Sequence, residues 1–196
     1  MDTWQNGFPN ILRLEIKITK ATKNNLLKKE DVLSVAEWEN LRNVQRIKCP
    51  ESICIFEKEH PDKKIEEDPS GLIRILQGKI EGLGPTYLSK VLCFAIPSEF
   101  GAVDTRIVRV AGRGGPNSKQ QDWLSLRARN DGYGWYIPKN QSAWPKEYSK
   151  WINILRFCAH FLNNSGKLCP QPEGFLTNDL RKRGIEDEKV TSAHNH

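Results

Sequence analysis

The stretch Ile80-Glu81-Gly82-Leu83-Gly84-Pro85-Thr86 decides how the chain folds. Before it, Asp68-Pro69-Ser70 reads as a helix start, and Leu72, Ile73, Leu76 and Ile80 follow on one helical face. After it, Leu88, Val91, Leu92 and Ala95 line a second helix. Pro85 suits that helix's first turn, where its missing N–H loses nothing, and Pro97 marks the end. Two helices joined by Gly-Leu-Gly make a tight bend. Glycine tolerates backbone angles that other residues avoid and lets a ligand approach the main chain. The second helix contributes unpaired N–H donors and a partial positive charge at its N-terminus. Such a bend can grip one phosphate, and it can equally be an ordinary corner between helices. Leu83 is expected to point into the core in either case.

One helix later comes Gly101-Ala102-Val103-Asp104-Thr105-Arg106-Ile107. Asp104 starts a short helix with Val103, Ile107, Val110 and Ala111 on its apolar face, ended by the glycines from Gly112 to Gly115. Arg106, Arg109 and Arg113 fall opposite, either as a phosphate-contacting stripe or as a solvated face. Further out, residues 31–47 predict a helix capped by Asp31. Residues 8–30 fit either a strand, from the alternation of Leu12, Leu14, Ile16 and Ile18, or a lysine-rich helix. Pro145 opens a last helix expected to bury Tyr148, Trp151, Ile152, Leu155, Cys158, Ala159 and Leu162. Residues 116–143 read as loops. Their aromatic run Gly132-Tyr133-Gly134-Trp135-Tyr136 either stacks on a base or pins a loop to the core.

The excess of 30 Lys and Arg over 24 acids gives a net charge of +6, which favours polyanionic partners without requiring one. Hydrophobic residues at 38% exclude a disordered chain. The five cysteines lack C-x-x-C spacing, so neither a zinc site nor a disulfide framework is expected, and no other cofactor is called for. No apolar run approaches the roughly 18 residues of a membrane span, and the N-terminus lacks the pattern of a signal peptide. These features predict a cytoplasmic protein, or a nuclear one in a eukaryote. His60, His160, Glu37 and Glu39 carry no pattern, although the two glutamates are of a type that can activate water.

The hairpin, followed after one helix by Val103-Asp104-Thr105, resembles the helix-hairpin-helix superfamily of DNA glycosylases. The match covers about residues 72–113, and Asp104 lies 20 residues after Gly84, as in the endonuclease III-like branch. The resemblance implies that Asp104 faces a cleft and stabilises the positive charge on the sugar as a flipped base departs. It also implies that Gly82, Leu83, Gly84 and Thr86 meet the DNA backbone, with Arg106, Arg109 and Arg113 beside them. The sequence departs from the family in three ways. Arg106 replaces the usual histidine. Thr86 stands where bifunctional members carry their Schiff-base lysine. Only Cys158 and Cys169 lie where the iron–sulfur branch needs four cysteines. Lys90, one helical turn beyond Thr86, is a substitute candidate for the nucleophile.

The expected fold is therefore all-α and helix-hairpin-helix glycosylase-like, with two helical subdomains and a cleft between them. Residues 30–100 would form the hairpin part. Residues 1–29 and 101–169 would form the second part, and 170–196 a partly disordered tail. The expected partner is duplex DNA, with no membrane and no obligate protein partner. A non-catalytic binding module, and an unrelated helical interaction protein, are the alternatives to a monofunctional glycosylase.

Overall fold

The computed structural model describes residues 11–19, 26–55, 68–114 and 121–164. The chain is mostly helical, as expected. Helix α1 covers residues 11–19, and is followed by β1 (Leu26–Lys28), α2 (Lys29–Trp38), a 3-10 turn (Val44–Arg46) and β2 (Ser52–Cys54). Then come α3 (Ser70–Lys79), α4 (Pro85–Ala95), α5 (Thr105–Ala111), β3 (Arg129–Asn130), β4 (Trp135–Tyr136) and α6 (Lys146–Asn164). Two small antiparallel pairs correct the purely all-α expectation: β1 with β2, and β3 with β4. The readings that concern residues 1–10, His60, Gly115, Cys169 and the tail from Pro170 lie outside the described residues.

Residues 11–19 are helical although their apolar positions alternate. Residues two apart on a helix sit about 200° apart, so alternation places two stripes on opposite sides. Ile18 is buried and Leu14 half-buried, while Leu12 and Ile16 face out. Helix α2 is shorter than the predicted 31–47. Asp31 lies inside it, and its carboxylate accepts from Lys28 N at 3.0 Å. Asn40 takes a left-handed φ of 55°. Its N–H donates to Glu37 O, and the Leu41 N–H donates to Ala36 O, both at 2.9 Å. This paired C-terminal lock stops the helix.

Helix α4 is the centre of the packing. Its buried Leu88, Val91, Leu92 and Ala95 meet α2 on one side and α3 on the other. Trp38 of α2 meets Phe94 edge-on at 5.2 Å. Helix α6 packs on α3, where Ser70 N donates to Ser149 Oγ at 2.9 Å and Trp144 Nε1 to Gln77 Oε1 at 2.7 Å. Asp68 organises the start of α3. It accepts from the Ser70 hydroxyl at 2.6 Å and pairs with Arg74. Burial pushes its carboxyl up, but these partners outweigh it and hold the group below its ordinary value. The buried apolar side chains form one continuous cluster from Ile18 to Ile152.

Two predicted faces need correcting. On α5 the buried residues are Val108 and Ala111, preceded by Val103, while Ile107 is half-buried and Val110 is 66% exposed. The seven-residue helix turns its 108/111 edge inward, so Val110 falls outside. On α6, Tyr148, Trp151 and Ile152 are buried as expected, but Cys158 is exposed, together with Phe157 and Phe161. The helix runs on past the core after Leu155.

The thiols give a test of this packing. Cys93 on α4 keeps part of its surface, but its thiol is enclosed, and burial pushes it up to about 12. Iodoacetamide on the native protein at neutral pH, read by peptide mass mapping, should modify Cys158 and spare Cys93 until the chain is unfolded. Equal labelling rates would contradict the position of α4.

Candidate functional site

The bend between α3 and α4 is fixed by the strand-like segment before it. Lys48 and Glu81 exchange backbone hydrogen bonds of 3.1 and 2.8 Å, and their side chains pair at 3.3 Å. Gly82 then turns the chain at φ +89°. A Cβ there would meet Arg46 O at 3.0 Å and Ile47 Cα at 3.3 Å, so both conformation and space demand glycine. Leu83 is buried, as its position between the glycines predicted. Gly84 caps α4 with extended backbone, and a Cβ there would meet nothing within 4 Å. Packing does not require its glycine, which leaves the main chain open to approach.

Asp104 is held from three directions. Ser89, fully buried on α4, accepts from Val103 N at 3.0 Å. For its single proton it has the carbonyls of Thr86 at 2.9 Å and Val103 at 3.2 Å. From α6, Tyr148 Oη donates to Gly101 O and Trp151 Nε1 donates to Ala102 O, each at 3.0 Å. Asp104 then caps α5, its Oδ1 accepting from Ile107 N at 2.8 Å.

The bend and the cap open onto one groove of about 960 Å³. Gly82, Leu83, Gly84, Thr86, Asp104 and Arg106 line it, and Arg129, Trp135, Tyr136 and Lys139 also contribute to its lining. Asp104 therefore both caps its helix and borders the groove. Of the three arginines, only Arg106 lines it. Arg109 lies over the Trp135 ring at 4.9 Å, and Arg113, past the end of α5, is exposed elsewhere.

Lys90 and Glu39 also reach the groove, as an ion pair with each other. The Lys90 side chain is only 14% exposed, and its amine lies 5.8 Å from the centre of the Trp38 ring. Burial, with Glu39 nearby, raises the Tyr87 hydroxyl above its ordinary value. Glu37 is exposed and away from the groove. The sequence reading missed Ser89 and Lys139. The signal for Ser89 was a lone small polar residue inside the Leu88, Val91, Leu92 stripe, because a buried hydroxyl needs partners. Among the described residues no helix is long and apolar enough to cross a membrane, and no group of three or more His, Cys, Asp or Glu is placed to hold a metal ion.

The two glycines should separate in urea unfolding. Gly82→Ala should lose about 1–3 kcal/mol through backbone strain, while Gly84→Ala should stay within about 1 kcal/mol of the parent. Ser89→Ala strands the buried Val103 N–H and should lose about 1–3 kcal/mol. An unchanged midpoint for Ser89→Ala would remove the tie between α4 and Asp104.

No family model, curated protein or solved structure matches the chain, so the groove's own geometry carries the functional argument.

Proposed function

We propose that the groove binds DNA and that the chain is a monofunctional base-excision glycosylase. The observation that carries this reading is the shared groove of Asp104 and the Gly82–Gly84 bend. The bend and the first turn of α4 supply main-chain N–H groups to a backbone phosphate. Arg106, Arg129 and Lys139 add positive charge along the same groove. A nucleotide flipped from a damaged or mismatched pair places its sugar near Asp104.

The chemistry follows from these residues. As the N-glycosidic bond breaks, the base leaves with the bonding electrons, and positive charge develops at C1′. The carboxylate of Asp104 stabilises that charge; water then forms the new C1′–O bond, and the proton it gives up ends on the departed base. Its placement is firm, because Ser89, Tyr148 and Trp151 hold the preceding three residues. A Schiff-base route is disfavoured. Thr86 has no amine, and the Lys90 amine is engaged by Glu39. The same two facts favour the second reading, a binding module without catalysis.

Base release from duplexes carrying uracil, 8-oxoguanine, mismatched adenine or thymine, or alkylated bases tests both readings. Release from one of them should fall about 100-fold or more in Asp104→Asn. Asparagine caps helices as well as aspartate does, so stability should hold. Tight binding with no release from any lesion would support the module. No binding to plain duplex at low salt would reject both readings in favour of a helical interaction protein. Borohydride should trap no covalent complex. Arg106→Ala should lower the slope of log affinity against log salt by about 1.

A further inference from the structure

The β3–β4 hairpin carries three aromatic side chains within four residues. Elsewhere Phe100 packs on Tyr148 at 6.3 Å, Trp144 on Tyr148 at 6.0 Å, and Trp38 on Phe94, while Trp123, Phe157 and Phe161 are exposed singly. On this hairpin all three are presented to solvent. Tyr133 at the tip is 91% exposed, Trp135 46% and Tyr136 42%. These aromatics therefore do not pin the loop to the core. The anchoring falls to their neighbour Ile137, which is buried.

The tip is nevertheless shaped. Asp131 Oδ1 accepts from Tyr133 N at 3.0 Å and Gly134 N at 3.1 Å, and Asn130 Oδ1 accepts from Gly132 N at 2.8 Å. Arg109 rests on the Trp135 ring and leaves the residue nearly half exposed. Trp135 and Tyr136 line the same groove as Arg106, Arg129 and Lys139. Exposed rings interleaved with cations suit one ligand chemistry: bases whose faces are free, joined by phosphates. A paired duplex offers no free base face along its length.

We infer that the β3–β4 hairpin is a stacking arm for unpaired bases, so that the chain prefers DNA with bases out of the stack over fully paired duplex. This rests on the reading of the groove as a DNA site and specifies which DNA it takes.

The test uses the full chain and three fluorescein-labelled oligonucleotides of one length: a paired duplex, a duplex with a central mismatched bubble, and a single strand. Fluorescence anisotropy should show the bubble bound roughly tenfold more tightly than the paired duplex. Tyr133→Ala and Trp135→Ala should erase that preference by weakening the bubble and the single strand about tenfold, and should weaken the paired duplex far less. Trp135→Phe, which keeps a ring, should restore much of it. These side chains are exposed, so an unchanged urea midpoint will show that the variants fold. Arg106→Ala should weaken all three ligands by the same factor. If both alanine variants keep the wild-type preference, the arm is wrong, and the groove reading stands provided that Arg106→Ala still weakens binding. If they lose the preference while Arg106→Ala changes nothing, the arm stands and the groove reading falls. A wild-type chain that binds bubble and duplex equally overturns the arm outright.

Discussion

The Ser89 hydroxyl joins the first turn of α4 to the residue before Asp104. It is fully buried and reaches Val103 N and the carbonyls of Thr86 and Val103. A buried hydroxyl that both donates and accepts is specific in direction, whereas apolar packing is not. The glycine bend leads directly into α4, and Asp104 directly follows the segment that Ser89 holds. One side chain thus sets the distance between the backbone amides of the bend and the carboxylate. Tyr148 and Trp151 complete the clamp from α6 by taking the carbonyls of Gly101 and Ala102. The same α6 that closes the core therefore also aims the groove.

The two glycines of the bend serve different needs. Gly82 is dictated from within, by its φ of +89° and the nearby Arg46 carbonyl. Gly84 has free space where a side chain would stand, and its place at the N-cap of α4 suits glycine without requiring it. That free space leaves the α4 N-terminus open to approach, which fits the proposed phosphate contact. This is the physical reason for treating the bend as more than a corner.

How far the sequence was legible depended on whether spacing or a single backbone choice decided each element. Helices α3 and α4 were readable because four apolar positions each, with Pro85 and the glycines between them, all agreed. The end of α2 was not, because Leu41, Val44 and Ile47 continue the apolar spacing beyond a stop made by the left-handed Asn40. The strands β1 and β2 are three residues long, too short for alternation to register. Val110 was misplaced because a two-turn helix gives too few positions to fix its rotation. At the site, the bend and Asp104 line one groove, a placement that only the resemblance, and not the spacing of residues by itself, had implied. The arginine stripe dispersed, since α5 ends before Arg113 and Trp135 takes Arg109. Lys139 comes from a loop with no periodicity to read.

The groove's lining elements differ in how they are supported. The wall with Asp104 is backed by the continuous core and by buried hydrogen bonds, so its carboxylate has one position. The wall with Trp135 and Tyr136 is a two-residue ribbon stabilised by its own turn, by Arg109 and by Ile137 beneath it. Few buried contacts mean low local stability. Charge stabilisation at a reacting centre demands fixed geometry, because a shift of about 1 Å forfeits much of it. Stacking on a ring tolerates such shifts, since every base offers a similar face. On the proposed reading, one sugar is held in place while its neighbours vary, and a groove with one rigid wall and one adaptable wall suits that demand.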